Sequence, residues 1–234
     1  MIAHKFLSAG AVGLFSGIRW PTPWNGEPAS WVIADGALQV GWNGIHACRL
    51  RDLPYWLNDE LWLVELAPEI VEEDRMLVAR SGRLVDRVGS WTRQTEYEFG
   101  EACAWRARDK TVALLLRRSL TREAARLAEC RELDSLAEVA AAVAEAGGNE
   151  DASRITGYVA DAAGYTADVA SYAAESSHAG AAYPNCAAWA GCAAYVAAYA
   201  AGHDLGADAA AAERRWQAAW LARRLALKEE LRDA

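Results

Sequence analysis

Residues 44–66, GIHACRLRDLPYWLNDELWLVEL, are the part of the chain that best indicates its fold class. The short run 45–49 and the longer run 61–66 are rich in apolar residues, which is typical of buried strands. Between them, Asp52 followed by Pro54 predicts a short helix, because Asp is a common N-cap and Pro is tolerated in the first turn. A strand, a short helix and a second strand within so few residues predict a sheet with tight connections.

Similar apolar runs lie on both sides of this stretch. We predict further strands at residues 2–7, 31–34, 38–40 and 76–79. The predicted strands are separated by pairs of residues that favour turns, namely Asn25-Gly26, Asp35-Gly36, Asn43-Gly44 and Ser81-Gly82. The first part of the chain is therefore expected to form a mixed or antiparallel sheet.

The second part of the chain is dominated by Ala, which has the highest intrinsic helix propensity. A helix is expected to start near Ser90 and run towards Arg108. Further helices are predicted at residues 121–146, about 150–182, 186–201 and 207 to about 232, separated by Gly, Pro and Asn. The predicted fold class is therefore α+β, with an N-terminal sheet lobe at residues 1–115 packed against a C-terminal Ala-rich bundle of about four helices at residues 116–234.

Composition limits the classes of function. The chain has 234 residues, 53% of them hydrophobic, and a net charge of -8. This charge argues against a general nucleic-acid binder, because such proteins present a basic surface. No apolar stretch is long enough for a membrane span, and the first seven residues do not have the pattern of a signal peptide. We expect a cytoplasmic protein without a membrane partner.

The five cysteines form no recognisable metal or disulfide pattern. Their number is odd and none lies in a Cys-x-x-Cys spacing, so we expect reduced thiols and no metal site. Cys48 and His46 lie two residues apart on a predicted strand and therefore share one face. A thiol next to an imidazole can act as a nucleophile. The alternative is a histidine that bonds backbone groups near the edge of the sheet.

Tryptophan is concentrated in the predicted sheet lobe, where eight of the 11 Trp lie at or before residue 105. The candidates for binding a planar substrate in a Trp-lined cleft are Trp20, Trp24, Trp42 and Trp56. We expect Trp20 and Trp24 to be the most exposed, since each adjoins a proline. The alternative is that the rings fill the core, because each indole can bury about 150–250 Å².

Several of these motifs resemble a known family. The Gly-Ile-His-Ala-Cys motif at 44–48, the Asp-led segment at 52–57 and the strand at 64–66 are similar to an uncharacterised family of actinobacterial and phage proteins. The resemblance covers about residues 2–80, and the family has no established activity. The Ala- and Tyr-rich second half is similar to helical immunity proteins of toxin systems.

The sheet lobe also resembles, more distantly, the core of the ADP-ribosyltransferases. His4 fits the opening strand of that core, and Tyr55 follows a Gly-Ile-His segment at 44–46. The acid of that core corresponds to Glu65 or to a residue of the Glu-Tyr-Glu segment at 96–98. The resemblance implies NAD as the substrate, with a carboxylate that stabilises the cationic sugar as the glycosidic bond breaks.

Two hypotheses of function follow. The first is a small-molecule enzyme, a transferase that acts on a nucleotide-like or planar substrate in the Trp-lined cleft. Its candidate catalytic residues are His4, His46, Tyr55 and Glu65. The second is a non-catalytic interaction or immunity-type protein that binds a basic partner through the acidic helical bundle. Between Glu132 and Glu213 the only basic residue is Arg154, so this part of the chain is strongly acidic.

Overall fold

The computed structural model describes residues 1–146, 153, 154, 156, 157 and 207–227. Antiparallel strands make up its N-terminal part and helices its C-terminal part, so the predicted α+β class is confirmed. The strands are β1 (Ile2–Leu7), β2 (Val32–Ile33), β3 (Ile45–Ala47), β4 (Glu60–Leu66), β5 (Val71–Glu72), β6 (Leu77–Ala79) and β7 (Ser81–Arg87).

The strands form two antiparallel sheets that share one bent segment. One sheet has the order β1-β4-β7-β2 and the other the order β3-β6-β5. Arg80 alone separates β6 from β7, so the same stretch of chain contributes to both sheets. On the far side, the N–H of His4 donates to the carbonyl of Cys48 at 2.9 Å, and the N–H of Cys48 donates back at 2.7 Å. The strand pairing therefore closes into a ring.

The hydrophobic core of the sheets lies inside this ring. Alternate residues of a strand point to opposite faces. Ala3 and Leu7 of β1, and Ile45 and Ala47 of β3, belong to the core, so these positions mark the inward faces of the two strands. Lys5 lies between Ala3 and Leu7 and therefore shares the inward face of β1.

Strand β7 was not predicted from the sequence. The turn predicted at Ser81-Gly82 is wrong, because both residues lie in β7 and pair with β2. Gly82 serves packing instead, since a Cβ on it would lie 2.7 Å from Cγ2 of Ile45 and 3.2 Å from the carbonyl oxygen of Glu65. A glycine inside a strand marks a close approach between neighbouring chain segments here.

Two smaller predictions for the sheet lobe are also wrong. Residues 38–40 form no strand, and the chain turns there instead. Asp52 is not an N-cap, because it lies inside a 3-10 helix at Leu50–Tyr55 that follows Arg49. Its buried carboxylate accepts a hydrogen bond from the Arg49 guanidinium at 3.2 Å. The acid therefore binds a cationic side chain and not the free N–H groups of a helix end.

The described helices are α1 (Arg93–Arg117), α2 (Thr121–Glu129), α3 (Leu133–Ala146) and α4 (Ala207–Arg224). The single helix predicted at 121–146 is two helices, because Cys130 is extended, with φ -63° and ψ 135°. The helix predicted from Ser90 starts at Arg93 and continues well beyond Arg108.

The helices predicted at 150–182 and 186–201 lie outside the described residues, apart from residues 153, 154, 156 and 157, which are helical. The last predicted helix is present as α4 and ends at Arg224, where a helix to about residue 232 was expected. No helix among the described residues is long and apolar enough to cross a membrane.

The chain divides into two compact units. We call Met1–Thr92, together with the described residues from Ala218 onward, the sheet unit, and the described residues from Arg93 to Gln217 the helical unit. The division falls before α1, whereas the sequence placed it at 115/116. The predicted boundary lies inside α1, and the division after Gln217 lies inside α4.

Candidate functional site

The sheet unit contains a cleft of about 670 Å³. Its walls come from β1, β2 and β3, from residues 13–20 and 41–44, and from the side chains of Trp56 and Met76. Five exposed large hydrophobic residues line it, namely Leu14, Phe15, Ile18, Ile33 and Trp42. The cleft therefore has an apolar rim that is open to solvent.

Three of the four predicted substrate-binding tryptophans line this cleft. Trp42 is 84% exposed on its rim, and Trp56 is fixed by a hydrogen bond from its Nε1 to the carbonyl of Arg75 at 2.8 Å. Trp20 also lines the cleft but is only 6% exposed, so the prediction that it is among the most exposed is wrong; its ring packs into the core. Trp24 is 78% exposed and lies outside the cleft.

Lys5 lines the cleft and was not among the predicted site residues. Its Nζ donates to the carbonyl of His46 at 2.6 Å and lies 5.0 Å from the centre of the Trp20 ring. Burial lowers the pKa of Lys5 to about 8, although the nearby Cys48 acts in the opposite direction. The signal in the sequence was a lysine in a strand, IAHKFL, whose other residues are apolar except for His4.

His46 orders the rim of the cleft. Its Nε2 accepts a hydrogen bond from the N–H of Gly41 at 3.0 Å, so its Nδ1 carries the proton and donates to the carbonyl of Gly44 at 3.0 Å. Burial and the positive charge of Lys5 lower the pKa of His46, while the bond to Gly44 acts against them. His46 is therefore a neutral residue whose two nitrogens hold the turn that carries Trp42.

Cys48 is not arranged as a nucleophile. Its side chain is buried, and burial and the charge of Asp52 raise its pKa, so the thiol stays protonated. Both ring nitrogens of His46 are bonded to the backbone and neither serves as a base for the thiol. Of the two alternatives left open by the sequence, the contacts match the histidine that bonds backbone groups.

His4 borders the cleft but is on the opposite face of β1 from Lys5, as strand alternation requires. It is 7% exposed, and its Nδ1 has no hydrogen-bond partner in the described part of the chain. Burial lowers the pKa of His4 to about 4, so its ring is uncharged at neutral pH.

Tyr55 and Glu65 do not line the cleft. The ring of Tyr55 stacks under the guanidinium of Arg75 at 4.4 Å. Glu65 accepts a hydrogen bond from Nε of Arg83 at 2.7 Å, on a part of β4 away from the cleft. The four predicted catalytic residues therefore do not share one cavity, since only His4 and His46 border the cleft. The alternative acids at positions 96 and 98 lie in α1, in the helical unit.

The described residues contain no group of three or more His, Cys, Asp or Glu side chains that could hold a metal ion. Comparison of the chain with protein-family models, with curated proteins and with solved structures finds no match. The resemblances drawn from the sequence therefore stay predictions.

Proposed function

We propose that the sheet unit binds a planar, largely apolar small molecule in its aromatic cleft. The observation that carries this proposal is the clustering of exposed apolar side chains. Leu14, Phe15, Ile18, Ile33 and Trp42 all line the same cleft. Folded proteins rarely leave a contiguous apolar patch in water unless it binds something.

The shape and lining of the cleft support the same proposal. Small-molecule sites typically enclose about 300–1,000 Å³ and combine apolar walls with a few polar groups. The volume of about 670 Å³ lies in this range. Trp42 on the rim and the half-buried Trp56 supply indole rings, which stack favourably on planar ligands. Lys5 supplies a polar group among these apolar walls.

The contacts favour binding over catalysis. The thiol of Cys48 is protonated and buried, and both nitrogens of His46 are engaged with the backbone. Glu65, one of the two acids that the ADP-ribosyltransferase resemblance offers, is paired with Arg83 outside the cleft, and the other lies in α1. A transferase with NAD as its substrate is therefore a hypothesis that rests on the resemblance alone.

The second hypothesis, an acidic bundle that binds a basic partner, stays a prediction. Much of the acidic stretch that motivates it, residues 147–152 and 158–206, lies outside the described residues. No observation in the described part of the chain favours it over ligand binding in the cleft.

Titration calorimetry with 2-naphthamide, a neutral planar probe, tests the proposal. The variant Trp42→Ala should weaken binding roughly tenfold, because loss of an aromatic contact at a binding site commonly changes affinity by about this factor. The matched control is Trp24→Ala, which removes a similarly exposed indole outside the cleft and should leave the affinity unchanged. Equal effects of the two variants, or no binding to the wild-type chain, would contradict the proposal.

A further inference from the structure

We propose that the ligand of the cleft is an aromatic carboxylic acid whose carboxylate binds the ammonium group of Lys5. This inference rests on the proposed function, since it assigns the chemical class of the molecule that the aromatic cleft takes. Aromatic walls recognise the ring, and one cation recognises the acid.

The first support is the unfinished set of contacts around Nζ of Lys5. An ammonium group has three N–H donors. One donates to the carbonyl of His46 at 2.6 Å, and a second contact is made with the face of the Trp20 ring. Both partners are neutral. The ammonium group is deeply buried, yet Lys5 lines the cleft, so we expect a molecule bound there to reach its remaining donor.

The second support is the absence of a counter-ion. No carboxylate in the described residues forms an ion pair with Lys5, although eight other ion pairs occur among them. A cation taken out of water is unfavourable unless an opposite charge or several hydrogen bonds stabilise it. A ligand carboxylate would supply that charge, and hydrogen bonds between charged groups are among the strongest in proteins.

The number of charges around the cleft favours a monoanion. Among the described residues, Lys5 is the only lysine or arginine that lines it, and both histidines on its border are neutral at pH 7 because their pKa values are lowered. Asp35, which also lines the cleft, adds a negative charge. A single ammonium matches a single carboxylate, whereas a phosphate monoester or a pyrophosphate brings more negative charge than the cleft can neutralise.

Three probes with the same ring system test this inference on the wild-type chain. 2-Naphthoate, 2-naphthamide and 2-naphthyl phosphate differ in the charge that they carry, and titration calorimetry measures the affinity of each. Naphthoate should bind at least tenfold more tightly than naphthamide, because a hydrogen bond to a charged group typically changes affinity by this factor or more. Naphthyl phosphate should bind no more tightly than naphthoate.

The variant Lys5→Met tests whether Lys5 causes the preference for naphthoate over naphthamide. It replaces the ammonium by an apolar side chain of similar length, so the affinity for naphthamide should be kept and the preference for naphthoate should disappear. Lys110→Met is the matched control, because Lys110 is paired with Glu213 in the helical unit; it should leave all three affinities unchanged.

Each other outcome overturns the inference. Equal affinities of naphthoate and naphthamide in the wild-type chain would show that Lys5 does not recognise an acid, while the proposed function would survive on the binding of naphthamide. Tightest binding of naphthyl phosphate would replace the carboxylate by a phosphate. A loss of both affinities in Lys5→Met, with circular dichroism unchanged, would make Lys5 a residue that shapes the cleft.

Discussion

The sheet unit and the helical unit differ in whether a buried charge has a partner of opposite charge. In the helical unit, the side chain of Glu213 is 0% exposed and is surrounded by cations. Arg106 of α1 donates to its two carboxylate oxygens at 2.8 and 2.7 Å, and Nζ of Lys110 lies 3.3 Å away. In the sheet unit, Lys5 has a carbonyl and an aromatic ring as neighbours, and no ion-pair partner among the described residues.

The difference separates a structural charge from one that is available to a ligand. Arg106 is held further by the ring of Trp216, 3.9 Å from its guanidinium, so the donors around Glu213 are positioned by the protein itself. An ion pair of this kind leaves nothing for a ligand to bind. Lys5 lines an open aromatic cleft instead, and its charge is not neutralised.

The largest effect is expected from breaking the ion pairs of the helical unit. Glu213→Gln should lower the free energy of unfolding by about 3 kcal/mol, because removal of one partner of a buried pair leaves the other charges poorly solvated. Urea unfolding at pH 7 measures the change. The control Glu138→Gln, at an exposed position of α3, should change it by less than about 0.5 kcal/mol.

The same measurement on Lys5→Met sharpens the comparison. If Lys5 is not neutralised in the empty cleft, its replacement by an apolar side chain should not destabilise the protein. A loss similar to that of Glu213→Gln would mean that both charges are structural and would remove the distinction between the units.

A smaller effect is expected from His4, the second buried base of the sheet unit. Burial lowers its pKa to about 4, whereas an unfolded histidine titrates near 6.5. The folded protein therefore takes up this proton less readily than the unfolded chain. The contribution of His4 to the free energy of unfolding is therefore greatest above about pH 6.5, and it is lost as the pH falls from there to about 4.

The variant His4→Gln isolates this pH dependence. Between pH 7 and pH 4.5, the wild-type protein should lose about 2 kcal/mol more free energy of unfolding than the variant. Urea unfolding at the two pH values measures the loss for each protein. The titration of the carboxylates contributes equally to both proteins and therefore cancels when the two losses are compared. Equal losses in the two proteins would show that His4 is not desolvated in the folded state.

The fold class could be predicted because its signals are local. Apolar runs at 2–7 and 61–66 correspond to β1 and β4, and the Ala-rich composition indicates helices. The place of β7 could not be predicted in the same way. Gly82 is required by its contact with Ile45, which lies far away in the sequence, and glycine is also the most common sign of a turn.

The candidate site could be predicted only in part, because some of its contacts join residues that lie far apart in the sequence. Composition placed a tryptophan-lined cleft in the first part of the chain, and Trp20, Trp42 and Trp56 line the cleft of the structure. Composition did not show that Glu65 has a partner, because Arg83 lies opposite it on the paired strand β7. Nor did it show that the carbonyl of His46 would be the neighbour of Lys5.

The most direct test of the central claim is the titration of Lys5 itself. The chain has three lysines, so nuclear magnetic resonance of the lysine Cε and Nζ groups, with Lys5→Met for assignment, can follow this residue alone. In the empty cleft, where Lys5 interacts with His46 and Cys48 of the adjacent segment 46–48 and shares the cleft with His4 and Asp35, it should show a pKa of about 8. Saturation with 2-naphthoate should raise that pKa, and 2-naphthamide should not. An ordinary pKa near 10.4 in the empty cleft, or a pKa that naphthoate leaves unchanged, would contradict the account.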